Sequence, residues 1–81
     1  MQVILSKTAE KYLERLNEPT LGRIYKALAA LGEAPPKGDI KKLAGRDEYR
    51  LRMGNYRALF KIEADKILIA AIAPRGQIYK E

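Results

Sequence analysis

Four arginines and one tyrosine in the C-terminal half are the residues best suited to chemistry on a phosphate: Arg50, Arg52, Arg57, Arg75 and Tyr79. A guanidinium fork matches phosphate geometry, and a phenol among guanidinium groups has a lowered pKa that makes it a proton-transfer group. Three of the arginines fall in YRLRMGNYRALFKI (49–62), where apolar and basic residues alternate on either side of Gly54-Asn55. Alternation of period two predicts strands, and the Gly-Asn pair predicts a two-residue hairpin turn. That turn sets Met53 opposite Tyr56, Arg52 opposite Arg57, Leu51 opposite Ala58 and Arg50 opposite Leu59.

Tyr49, Leu51, Met53, Tyr56, Ala58, Phe60 and Ile62 then share one face, and Arg50, Arg52 and Arg57 share the other, open face. A slip of one residue would exchange the two sets, so the register is strongly specified. Like charges directly opposite cost roughly 0.2–1 kcal/mol per pair, which water, salt and packing of the aliphatic stems make tolerable. A solvated basic face and a phosphate-binding face both fit this pattern. The choice of arginine at all three positions favours the second, as does the lack of an acidic residue on that face of these two strands before Glu63. Arg75 follows in a Pro-Arg-Gly turn that presents it from a loop end. Tyr79 reads either as an edge aromatic packed on the sheet or as a proton-transfer group.

Composition narrows the alternatives. The 81 residues contain no cysteine and no histidine, so disulfides, thiolate metal sites and imidazole acid/base chemistry are excluded. Tyr, Lys, Arg, Asp, Glu, Ser and Thr remain, and no metal or cofactor is implied. The net charge is +6, of which residues 41–81 carry +5, so a polyanionic partner would meet mainly that half. The chain has neither a signal-type apolar run nor an 18-residue apolar span, which leads us to expect a soluble cytoplasmic protein with one domain over residues 1–81.

The elements that must hold these residues follow from periodicity. Gln2 to Leu5 is a short β-prone start. Ala9, Tyr12, Leu13 and Leu16 form the stripe of an amphipathic helix, with Ser6 or Thr8 as its N-cap. Leu21, Ile24, Tyr25, Leu28 and Leu31 form a second stripe, with Pro19 in its first turn and Gly32 and Pro35-Pro36 ending it. The short connection predicts an antiparallel helical hairpin. Glu63–Lys66 turns the chain after the second strand, and the apolar run Ile67–Ala73 predicts a central strand covered on both faces. The order is β-α-α-β-β-β: an α+β domain whose helical hairpin covers one face of an antiparallel sheet.

The run YRLRMGNYRALFKI and the terminal Arg75-x-x-x-Tyr79 resemble the signature of the RelE toxins, in the RelE/ParE superfamily of type II toxin–antitoxin systems. The resemblance extends through residues 43–81, and the β-α-α-β-β-β layout fits the rest. It implies a metal-independent, ribosome-dependent mRNA endoribonuclease acting in the ribosomal A site. The 2′-hydroxyl attacks the adjacent phosphodiester and leaves a 2′,3′-cyclic phosphate and a 5′-hydroxyl. By position, Arg50 and Arg52 match residues that hold and polarise the phosphate. Arg57 matches the arginine that stabilises the pentacoordinate transition state, Arg75 one near the leaving oxygen, and Tyr79 a tyrosine that stacks on a base or transfers a proton. Lys41, Lys42 and Lys80 join Arg50 as candidate RNA-binding residues.

Three positions depart from the pattern. Arg50 and Arg52 stand where the best-studied branch has lysines, and Pro74 where other branches often have histidine. Arginine keeps its proton, so Tyr79 is the one matched residue able to act as a base; the alternative is catalysis by phosphate alignment and charge stabilisation. Other functions on this framework are a ParE-like gyrase poison or a non-catalytic RNA binder. In each toxin reading the main protein partner is a cognate antitoxin, acidic in its binding segment and partly disordered when free.

Overall fold

The computed structural model describes residues 1–77. Two helices pack on one face of a five-stranded sheet. In chain order the elements are β1 (Gln2–Leu5), α1 (Lys7–Glu14), α2 (Thr20–Leu31), β2 (Asp39–Lys42), β3 (Tyr49–Met53), β4 (Tyr56–Glu63) and β5 (Lys66–Pro74). The spatial order is β1-β5-β4-β3-β2. The α+β class and the helix-covered face are as expected, while the sheet differs in two respects. It gains β2, a four-residue edge strand antiparallel to β3, and it is mixed, because β1 pairs parallel to β5. Both helices and three strands separate β1 from β5 in the chain, which gives the long connection that a parallel pair needs.

Local chemistry accounts for the boundaries. Ser6 is the N-cap of α1: its Oγ accepts from the Ala9 amide at 3.0 Å and donates to the Ala70 carbonyl at 2.8 Å. One hydroxyl thus ties the helix start to β5. Pro19 sits just before α2 rather than inside its first turn, and the Glu18 carboxylate caps that helix by accepting from the Gly22 amide at 2.9 Å. Gly32 ends α2 as expected.

The core forms where the helical stripes meet the sheet. Ala9 and Leu13 of α1 and Ile24, Leu28 and Leu31 of α2 pack with Leu51, Ala58, Phe60, Ile67, Ile69 and Ile72 of the strands. Tyr49, Met53 and Tyr56 are half-buried against this cluster, and Tyr49 stacks on Phe60 with ring centroids 5.3 Å apart. Ile62 departs from the expected set, at 42% exposed. It pairs with Ile67 on β5, but β3 ends opposite Phe60, so Ile62 has no strand on its other side. β5 is an interior strand as expected, yet its cover is incomplete: Ala70 is exposed. The register of β4 against β5 shifts between Leu59 and Phe60, which leaves Ala70 as the extra residue of a β-bulge.

Candidate functional site

The hairpin register is the one the turn dictates. Met53 opposes Tyr56, Arg52 opposes Arg57, Leu51 opposes Ala58 and Arg50 opposes Leu59. Gly54 has φ +64 and Asn55 does not have positive φ, the pattern of a type II′ turn with glycine first. The turn therefore needs glycine at 54, and in this way it fixes which face the arginines take.

Extending the pairing across the sheet gives two rows on the face away from the helices. Asp39, Arg52, Arg57 and Ala73 form one; Lys41, Arg50, Leu59 and Ala71 form the next. Arg75 lies at the same end as the first row. Its backbone amide donates to the Asn55 carbonyl at 2.7 Å, docking the Pro74-Arg75-Gly76 turn against the hairpin turn. The Gln77 amide donates to the Pro74 carbonyl at 3.1 Å and Gly76 has φ +88, as a type II turn requires. Arg50, Arg52 and Arg57 thus share one face, and the turn that carries Arg75 docks at the end of that face.

The three hairpin arginines differ in exposure. The Arg52 side chain is 53% exposed and that of Arg50 only 16%. Arg57 is not a surface group: it is 7% exposed, the one buried charged residue among those described. It stands on the middle strand, and its Nη1 donates to the carbonyls of Gly54 at 2.6 Å and Tyr56 at 2.8 Å. The guanidinium folds back onto its own turn, so Arg57, expected on an open face, is buried and braces the hairpin.

The face also carries a carboxylate beside the arginines, which the two hairpin strands do not supply before Glu63. Asp39 comes from β2, opposite Arg52. Its Oδ1 lies 3.4 Å from Arg50 Nη2 and its Oδ2 3.9 Å from Arg52 Nη1. In β2 the alternation Asp39-Ile40-Lys41, too short to predict a strand by itself, puts Asp39 and Lys41 on one face and Ile40 on the other. Asp39 and Lys41 thus flank the arginines as a mixed edge.

Of the candidate RNA-binding lysines, Lys41 shares the arginine face. Lys42 opposes Tyr49 and so belongs to the other face by register, with its Nζ donating to the Arg46 carbonyl at 2.7 Å. Both border an open cavity of about 540 Å³ with Leu43, Ala44, Arg46 and Arg50. Arg46, absent from the expected set, pairs with Glu48 there. Tyr79 and Lys80 lie outside the described residues. Burial pushes the Tyr12 phenol up, with Tyr56 adding to the rise and Arg15 opposing it, but Tyr12 sits on α1 across the sheet from the arginines. Among the described residues no group of acidic side chains could hold a metal ion, and no helix is long and apolar enough to cross a membrane.

The family model for the ParE toxin of type II toxin–antitoxin systems, parDE, matches residues 3–79. This chain belongs to the RelE/ParE superfamily of toxins. Solved RelE structures agree. The archaeal RelE–RelB complex from Pyrococcus horikoshii OT3 is 30% identical with a TM-score of 0.79, covering 94% of this chain and 96% of that one. The RelB–RelE complex from Methanococcus jannaschii is 29% identical with a TM-score of 0.75, covering 94% of each chain. The isolated E. coli RelE toxin, 17% identical, shares the fold with a TM-score of 0.74, over 96% of this chain and 89% of that one. The chain matches no curated protein sequence. The RelE/ParE framework of helices on a mixed sheet sets Arg50, Arg52 and Arg57 on one face and docks the turn of Arg75 at its end, and the chain is a type II toxin.

Proposed function

We propose that this toxin, a single domain over residues 1–81, is a ribosome-dependent mRNA endoribonuclease. The observation that carries the reading is the cross-strand Arg52–Arg57 pair, with Arg50 in the next row and Arg75 in the turn at the same end. A dianionic pentacoordinate phosphorane needs several fixed cationic donors, and guanidinium groups supply them without proton loss. The 2′-oxygen attacks phosphorus, the bond to the 5′-oxygen breaks, and the products are a 2′,3′-cyclic phosphate and a 5′-hydroxyl. Arg50 and Arg52 hold the non-bridging oxygens, Arg57 fixes the hairpin and adds its charge from beneath, and Arg75 stabilises the leaving oxygen. Tyr79 is the assigned proton acceptor or base-stacking residue, and Lys41 and Lys80 guide the RNA backbone.

Its partners in this reading are translating ribosomes with their message, in the cytoplasm, and an antitoxin. The archaeal relatives were solved with RelB bound, which supports an antitoxin for this chain too. One observation favours a second reading: the matching family model is described as ParE, which supports a toxin acting on DNA gyrase. The two separate on induction. A ribonuclease leaves new 5′-hydroxyl ends within codons of translated messages and intact chromosomes, whereas a gyrase poison leaves DNA breaks and intact messages.

A further inference from the structure

We propose that Asp39 is a built-in competitor for the substrate phosphate, holding Arg50 and Arg52 as a pair and yielding them to a phosphodiester when one arrives. The inference rests on the phosphodiester substrate proposed above and deepens it. Asp39 offers one oxygen to each of two guanidinium groups, at 3.4 Å to Arg50 and 3.9 Å to Arg52. The two non-bridging oxygens of a phosphodiester, sharing one negative charge, would present themselves in the same way. Both contacts exceed the roughly 2.7–2.9 Å of a tight charge-assisted hydrogen bond, and the Asp39 side chain is 55% exposed, so the pair is loose and readily exchanged. The resident carboxylate also leaves Arg50 incompletely served, because its buried Nε has no hydrogen-bond partner.

The position of Asp39 suits this role. It stands on edge strand β2, directly across from Arg52 and in the same row as Arg57, while Lys41 is across from Arg50. In this row Arg52 faces the like charge of Arg57, and Asp39 sets a carboxylate beside Arg52. A carboxylate here relieves that repulsion in the free toxin and weakens its grip on RNA that is not held in place by a ribosome. Affinity is thereby exchanged for selectivity, since only a well-positioned phosphate displaces a tethered anion.

The test is binding of a short 2′-O-methyl RNA, which cannot supply the attacking hydroxyl, measured by fluorescence anisotropy at several salt concentrations. Asp39→Asn is compared with Asp65→Asn, which removes the same charge in the β4–β5 turn at the far end of the hairpin. The proposal expects Asp39→Asn to bind about fivefold tighter than Asp65→Asn at low salt, the worth of one exposed charge pair at contact distance. Equal or weaker binding by Asp39→Asn overturns it. A parallel titration with inorganic phosphate, read on the Nε–H resonances of Arg50 and Arg52, uses no RNA and no ribosome. Larger phosphate-induced shifts in Asp39→Asn at a given concentration support the competition even if the toxin proves not to cut mRNA; equal or smaller shifts overturn it.

Discussion

Replacing Arg57 by alanine should unfold this toxin more easily, and replacing Arg52 should not, although the two face each other across one hairpin. Arg57 is buried, and its Nη1 holds the Gly54 and Tyr56 carbonyls at 2.6 and 2.8 Å. A hydrogen bond from a charged donor contributes about 1.5–3 kcal/mol, but both acceptors belong to a turn that water can reach once the side chain is gone. Allowing for that rehydration, the loss is about 2 kcal/mol. For a domain of this size about 1 kcal/mol moves the melting temperature by roughly 4–8 °C, so Arg57→Ala should melt about 10 °C lower.

Arg52 is 53% exposed and among the described residues is paired only with Asp39, at 3.9 Å, so its removal should change stability by less than about 0.5 kcal/mol. Thermal melts of the two variants by circular dichroism decide the matter. Coincident melting curves would refute the bracing role of Arg57. The difference matters for function, because inactivity of an Arg57 variant mixes lost structure with lost chemistry. Charge reversal at 57 is therefore a poor test of catalysis, and Arg52→Ala is a clean one.

Two further outcomes test the framework. Gly32→Ala should destabilise by about 1–3 kcal/mol in urea titrations, because the added Cβ would lie 2.9 Å from the Met1 carbonyl oxygen and 3.0 Å from Val3 Cγ2, where β1 crosses the end of α2. An unchanged midpoint would mean that β1 can move away freely. Ala64→Asn should raise stability by about 0.5–1 kcal/mol, because Ala64 and Asp65 turn the β4–β5 hairpin with φ of +49 and +64, a conformation that alanine adopts at a cost and asparagine tolerates. A lower urea midpoint would contradict that reading of the turn.

The parts of the site that were legible in the sequence are those governed by local rules. A two-residue turn and strict alternation determine the pairing of Arg52 with Arg57 with no knowledge of the rest of the chain. The helices were equally plain, since their stripes and end signals are local. What was not legible depended on neighbours distant in sequence. The four residues of β2 contain a single apolar side chain, Ile40, too little for a periodicity, so the strand and the Asp39 it delivers to Arg50 and Arg52 went unseen. Alternation assigns Arg57 to a face but is silent on its burial and on its bonds back to the turn from the middle strand. Ile62 has the right parity for the core, yet the end of β3 leaves it uncovered.

The most direct test of the ribonuclease assignment is to map mRNA 5′ ends on ribosomes after induction of the wild-type toxin and of Arg52→Ala, with the stability of both proteins checked. New 5′-hydroxyl ends within A-site codons are expected for the wild type, with a loss of about 10²–10³-fold for the folded variant. Intact messages accompanied by DNA breaks, or undiminished cleavage by Arg52→Ala, would contradict the assignment.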